Sequence, residues 1–259
     1  MRVLSFATLG IVTFLLGSCA PQETGSTWRG GSLAAIGDSF ASGVGASGMQ
    51  KECGRSEKGW PGLLAEDLGM EYVNLACSGA TIEEAIEQVK ELPDGVDLVA
   101  VNAGGNTVGF VEALILCQSG ACDSARQLVI ERLPRLRSDL TDLIAAIHEF
   151  RPSVSRILVM SYPIATIPGE VCDGMVVGTS EGFSEQWRLN EVMADVVAEA
   201  SASGVPVTLV DDLGFEGHEL CTHDPWFFGF GSGLLVLHPN DSGYRALADA
   251  AARSIERGR

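Results

Sequence analysis

The sequence predicts an α/β protein, a three-layer sandwich in which a parallel sheet is covered by helices on both faces. Two observations predict it: four or five short apolar runs without polar alternation, as strands buried on both faces read, and stretches of helical period between them. A third places a site, because glycine-containing motifs directly follow the first three runs, and such sheets form their sites at the carboxyl ends of strands.

The first strand is read over Ser32 to Ile36 and runs into Gly37-Asp38-Ser39. A helix follows over Trp60 to Leu68, then EYVNLA as a strand ending at Ala76-Cys77-Ser78-Gly79, then TIEEAIEQVKEL as an amphipathic helix. VDLVAVNAGG is a buried strand leading to Gly104-Gly105-Asn106, with a helix after Gly109. Helical periodicity continues from Arg126 to Phe150, and Pro134 within it predicts a break, with the proline in the first turn of a second helix. SRILVMSYP is the next strand, Ser184 to Ser203 a helix, VPVTLVDD a strand, and Asp241 to Glu256 a closing helix capped by Asn240 or Asp241.

The amino terminus is set apart from this unit. Met1-Arg2 leads into an apolar run from Val3 to Leu16, the pattern of a signal peptide and too short for a spanning helix. It ends in Leu16-Gly17-Ser18-Cys19, which resembles the lipobox of bacterial lipoproteins, where the cysteine becomes the lipidated first residue. The division expected is a signal peptide over 1–18, Cys19 with a polar tether over 19–31, and one domain over 32–259. An extracytoplasmic protein, anchored through Cys19 or otherwise secreted, follows. The chain has seven cysteines, an odd number, and setting Cys19 aside leaves six without zinc-ligand spacing, so disulfides are expected, their pairing left open by the sequence. A formal net charge of −17 excludes a nucleic-acid partner and electrostatic attraction to anionic lipid.

The motifs carry parts for one kind of chemistry. A serine hydroxyl is a weak nucleophile that needs a base within reach, and a tetrahedral intermediate needs donors aimed at its oxyanion. Ser39 sits at a strand-to-helix turn, Gly79 offers an N–H that a substrate can approach closely, Asn106 offers a neutral side-chain amide, and His238 is the group that exchanges protons near neutral pH.

Gly37-Asp38-Ser39, Gly79, Gly105-Asn106 and His238-Pro239-Asn240 resemble, in order and spacing, the four blocks of the SGNH (GDSL-type) hydrolases. The likeness is nearest to the secreted, three-disulfide actinobacterial esterases and lipases, in ACSGAT, GGNTVGF, FEGHELC and HPNDSGY. It implies a flavodoxin-like sheet, Ser39 as nucleophile, His238 as base, and an oxyanion hole of the Ser39 N–H, the Gly79 N–H and the Asn106 side chain. It also implies the pairing Cys53 with Cys77, Cys117 with Cys122 and Cys172 with Cys221. The expected activity is hydrolysis of small-molecule or lipid carboxylic esters without metal or organic cofactor. Two other readings are an O-deacetylase of envelope carbohydrates and a non-catalytic binding module on a degenerate scaffold.

The chain departs from the pattern twice. Leu235 stands where most members carry an aspartate three residues before the histidine, so the Leu235 backbone carbonyl is expected to orient His238, with Asp211, Asp212 and Asp224 as competing acids. Thr107 stands where relatives have aspartate after the asparagine, which leaves the support of that turn open. Elsewhere, Gly43, Gly45 and Gly48 are read as a wall of the cleft, since no P-loop lysine follows. His218 and His223 in HELCTH are five apart, the wrong spacing for an HExxH zinc site, and no metal is expected there. PWFFGFG, Pro225 to Gly231, is core packing or the lining of an acyl pocket, and Asp38 serves the turn around Ser39.

Overall fold

The computed structural model describes residues 30–166, 185–229 and 231–257, with the backbone of 171–172 and 175–176. The elements in chain order are β1 (Ser32–Gly37), α1 (Ser39–Ser42), α2 (Trp60–Leu68), β2 (Glu71–Asn74), α3 (Ile82–Val89), β3 (Leu98–Asn102), α4 (Phe110–Gln118) and α5 (Cys122–Phe150). There follow β4 (Arg156–Met160), the two-residue strands β5 (Val171–Cys172) and β6 (Met175–Val176), α6 (Glu185–Ala202), β7 (Val207–Val210) and α7 (Asp241–Arg257), with a 3₁₀ turn at Gly233–Leu235. The main sheet is parallel throughout, in the order β2-β1-β3-β4-β7, which is the flavodoxin order.

Its strands are apolar on both faces because both faces are covered. Along β1, Ala34 and Ile36 enter one core with α3, α5 and α6, while Leu33 and Ala35 enter the other with α2 and α7. The same alternation in β3 sends Val99 and Val101 one way and Leu98 and Ala100 the other. Local chemistry sets the helix ends: Thr81 and Glu84 form a capping box on α3, and the Asn240 side chain accepts from the Gly243 N–H at 3.1 Å to cap α7.

The break expected at Pro134 does not occur. Pro134 lies inside the single 29-residue helix α5. An interior proline costs about 3 kcal/mol or more. Here the helix buries one stripe, Val129 before the proline and Leu136, Leu140, Leu143 and Ile147 after it, against the sheet and its neighbouring helices. That continuous burial outweighs the local cost.

Candidate active site

The site forms where chain order in the sheet reverses, between β1 and β3. Gly37 pairs in register with Asn102, and the Asp38 N–H donates to the Asn102 carbonyl at 2.9 Å. Glycine is required at 37: its φ is +122°, and a Cβ there would lie 2.0 Å from the Asn102 oxygen. The Gln88 side chain on α3 clamps the same residue, accepting from the Gly37 N–H at 2.6 Å and donating to its carbonyl at 3.1 Å. The chain then turns into α1, where Asp38 caps the helix by accepting from the Phe40 N–H at 3.0 Å, leaving Ser39 as the first helical residue.

The second strand end is held against the first. The Cys77 N–H donates to the Gly37 carbonyl at 3.0 Å, and the Cys53–Cys77 disulfide fixes Ser78, whose N–H donates to the Cys53 carbonyl at 2.9 Å. Gly79 follows in the left-handed region at φ +86°, open on the side a Cβ would occupy. At the third strand end, the Asn106 amide donates one hydrogen to the Ala80 carbonyl at 3.0 Å. That bond orients the group and leaves its second hydrogen available.

His238 reaches the same place from the far end of the sequence. Its N–H donates to the Leu235 carbonyl and its carbonyl accepts from the Phe228 N–H, both at 2.9 Å, and its ring packs on Phe40 with centroids 5.5 Å apart. Leu237 before it is in the left-handed region at φ +64°. Nδ1 of His238 is buried without a fully formed hydrogen bond, although the Leu235 and Val236 carbonyls lie near enough to favour its protonated form. Burial dominates and holds its pKa below 6.5, so the imidazole is neutral at neutral pH.

Ser39, Gly79, Asn106, Leu235 and His238 all line one cavity of about 610 Å³. Both Ser39 and His238 line the cavity, without a hydrogen bond joining them. The competing acids lie elsewhere: Asp212 pairs with Arg257 at 3.1 Å, Asp224 lies beside His218, and neither they nor Asp211 line the cavity.

A family model described as GDSL-like lipase/acylhydrolase matches residues 35–246. The chain belongs to the GDSL-like lipase/acylhydrolase family. It is therefore an ester hydrolase, which sets aside the binding-module reading. A lipase of Streptomyces rimosus is 29% identical over 235 residues, covering 85% of this chain and 82% of that protein. Lipase 1 of Streptomyces coelicolor is 31% identical over 205 residues, 74% of each. Among solved structures, the extracellular lipase of Streptomyces rimosus superposes with a TM-score of 0.72 at 28% identity, over 86% of this chain and 99% of that one. Phospholipase A1 of Streptomyces albidoflavus gives 0.75 at 23% identity over 87% and 100%, a likeness of fold.

This GDSL-family site contains two positions that the sequence reading missed. One is Gln88. The other is Tyr162, whose buried hydroxyl donates to Asp38 Oδ2 and accepts from the Gly105 N–H at 3.0 Å, bridging the nucleophile turn to the asparagine turn. Asp38, fully enclosed, has its pKa pushed up to about 7 by burial, with the Tyr162 bond pulling the other way. Tyr162 is itself raised by burial and the Asp38 charge, and stays a donor. Phe40 packs edge-on to Tyr162, 5.2 Å between centroids, on the way to His238.

Other expectations resolve simply. Thr107 supports its turn without an aspartate: its hydroxyl accepts from the Ile82 N–H at 3.0 Å. Of PWFFGFG, Phe227 is buried in the core and packs with Trp226 on Phe215, and none of its described residues lines the cavity, while Phe230 lies outside the described residues. Gly43, Gly45 and Gly48 do not line the cavity; their neighbours Val44 and Met49 to Lys51 do, while Gly45 permits close approach of the Pro239 carbonyl. His218 stacks on Trp226 and hydrogen-bonds the Asp224 carbonyl through Nδ1 at 2.8 Å. Cys117–Cys122 is formed, and Cys221 is disulfide-bonded, while the side chain of Cys172 lies outside the described residues.

Proposed function

We propose that the chain hydrolyses carboxylic esters through a Ser39–His238 dyad, with the Ser39 N–H, the Gly79 N–H and the Asn106 side chain as oxyanion hole. The observation that carries this reading is the convergence of these residues, from four separate segments, on one cavity. Ser39 Oγ attacks the ester carbonyl carbon while its proton passes to His238. The three donors hold the oxyanion, His238 returns the proton to the departing alcohol, and an acyl-Ser39 ester remains. Water then attacks that ester with His238 again taking the proton, the acid leaves, and Ser39 is restored. The Leu235 carbonyl takes the place of the usual aspartate in fixing the His238 tautomer, and the chemistry calls for no cofactor.

The cavity wall favours an acyl chain longer than acetyl: Val44, Phe110, Leu114 and Leu189 line it, and its volume far exceeds an acetyl group. The relatives called lipases support the same substrate class, so the O-deacetylase reading is the weaker one. Residues 1–18 are proposed as a signal peptide and Cys19 as the anchor; both lie outside the described residues.

The test is hydrolysis of nitrophenyl esters from acetyl to long-chain acyl by protein beginning at Gln22. The rate should peak beyond acetyl, and Ser39→Ala should remove about 10⁴-fold or more of it. Activity surviving in that variant, or a folded protein inactive on every ester, overturns the mechanism.

A further inference from the structure

Among the described residues, the large apolar side chains left exposed are Met49 (41%), Val111 (58%), Ile115 (61%), Phe150 (43%) and Leu234 (92%). All but Phe150 line the mouth of the active-site cavity. They come from three unrelated segments, the turn after α1, helix α4 and the 3₁₀ turn before His238, so no single element's packing explains why they gather. Helix α4, with the sequence FVEALILCQ, is apolar almost all round, yet only Leu114 is fully buried. It rests on α5 and turns Val111 and Ile115, one helical turn apart, to the cavity rim.

Charge is distributed in the complementary way. The chain holds 34 acidic residues, but among the described residues the cavity lining includes one, Asp38, which is buried and hydrogen-bonded. Glu112 on α4 is drawn off by Arg132 at 3.0 Å. Among the described residues, the only cation on the lining is Lys51. Exposed apolar patches cleared of charge mark interaction surfaces, and desolvating a carboxylate against hydrocarbon would oppose any such contact. A protein of net charge −17 is repelled by anionic lipid, so this face fits a neutral or zwitterionic one.

We infer that the cavity mouth is an interfacial docking surface: Met49, Val111, Ile115 and Leu234 seat on an uncharged or zwitterionic lipid aggregate, and the acyl chain enters the cleft from that surface. This rests on the ester-hydrolase reading for its purpose, though not for its test. The test uses protein beginning at Gln22, which keeps the unit matched by the family model and omits Cys19, in a Ser39→Ala background so that no turnover is needed. Flotation with phosphatidylcholine vesicles should show binding, and replacing a third of the lipid with phosphatidylglycerol should weaken it. Ile115→Ser with Leu234→Ser should weaken partitioning by ~10-fold or more, since each buries apolar area in the aggregate. Phe150→Ser, exposed but away from the cleft, should leave it unchanged.

Melting curves on each variant separate a lost surface from a lost fold; should the double variant not fold, each single substitution is read in its place. Absence of binding to phosphatidylcholine, equal loss from Phe150→Ser, or a concentration-dependent dimer that the rim substitutions dissolve would overturn the inference, the last by assigning the patch to a second copy. Binding lost in the rim variants while the protein with Ser39 intact hydrolyses no ester would uphold the surface and count only against the ester-hydrolysis mechanism.

Discussion

Removing one oxygen tests how the centre is held together. Tyr162→Phe deletes the hydroxyl that donates to Asp38 and accepts from the Gly105 N–H, in a place closed to water. An orphaned buried N–H costs about 1–3 kcal/mol, and a lost hydrogen bond to a charged group about 1.5–3 kcal/mol. Their sum, roughly 2.5–6 kcal/mol, lies near or below the low end of the roughly 5–15 kcal/mol that folds a domain, so the variant should fold. At about 2–4 °C per kcal/mol for a chain of this size, its Tm should fall by roughly 5–24 °C. The catalytic effect is separate. Gly105 precedes Asn106, so a shift of that turn misplaces the proposed Asn106 oxyanion donor, and kcat should fall by about 10²-fold with KM little changed.

The pH dependence identifies the bond. Asp38 binds its proton more tightly folded, at about 7, than unfolded, at 3.8. Its contribution therefore weakens stability as pH rises from about 4 to 7, by on the order of 4 kcal/mol, and levels off above. Without Tyr162, which pulls the Asp38 pKa down, that decline should extend above pH 7. The assay is melting from pH 4 to 8 beside steady-state kinetics on a butyryl ester. A lowered Tm with unchanged kcat would make Tyr162 a packing residue only, and an unchanged pH dependence would refute the bridge to Asp38.

Burial lowers the His238 pKa from its ordinary 6.5, so the acid limb of kcat/KM should have its midpoint below pH 6.5; a midpoint above 6.5 contradicts this. Leu235→Asp should raise the His238 pKa and move that limb upward, and an unmoved limb would show that position 235 does not reach Nδ1. Replacing Cys53 and Cys77 by alanine opens a loop of 24 residues and should cost about 3–4 kcal/mol in denaturant melts, with a loss of rate because Gly79 lies two residues beyond Cys77. Gly37→Ala should yield no soluble folded protein, since its Cβ would overlap the Asn102 carbonyl; normal expression would contradict the β1–β3 geometry.

The strands, and Ser39, Gly79 and Asn106, were legible because each carries a local signal, an unbroken apolar run or a glycine turn directly after one, while His238 was legible from the proton chemistry of imidazole and its His238-Pro239-Asn240 block. What was not legible is carried by contacts distant in sequence. Tyr162 ends a strand like any aromatic residue, and only the fold brings it to Asp38, 124 residues away. Gln88 reads as the polar side of an amphipathic helix, yet its amide completes the hydrogen bonding of Gly37, 51 residues earlier. Pro134 misled in the opposite sense, because the local rule was correct and the packing of α5 overrode it. Thr107 could have been foreseen, since a threonine hydroxyl can serve a helix N-terminus much as an aspartate does.

The missing triad acid is best understood from where Asp38, the one carboxylate among the described residues that line the cleft, is spent. Asp38 lies next to the nucleophile, but its oxygens are committed to Tyr162 and the Phe40 N–H, so it organises backbone and does not orient the histidine. His238 is instead oriented by chain geometry. Leu237 is held left-handed, a conformation that costs about 1–2 kcal/mol for a residue with a Cβ, and hydrogen bonds to Leu235 and Phe228 fix the backbone on either side. Without an adjacent negative charge, only the Leu235 and Val236 carbonyls raise the imidazole pKa, and the burial that lowers it outweighs them. On the proposed Ser39–His238 dyad, the imidazolium formed during the reaction is less stabilised than in a triad, while the free base persists to lower pH. That dyad would trade peak rate for activity further into the acid range, both effects arising from the same absent carboxylate.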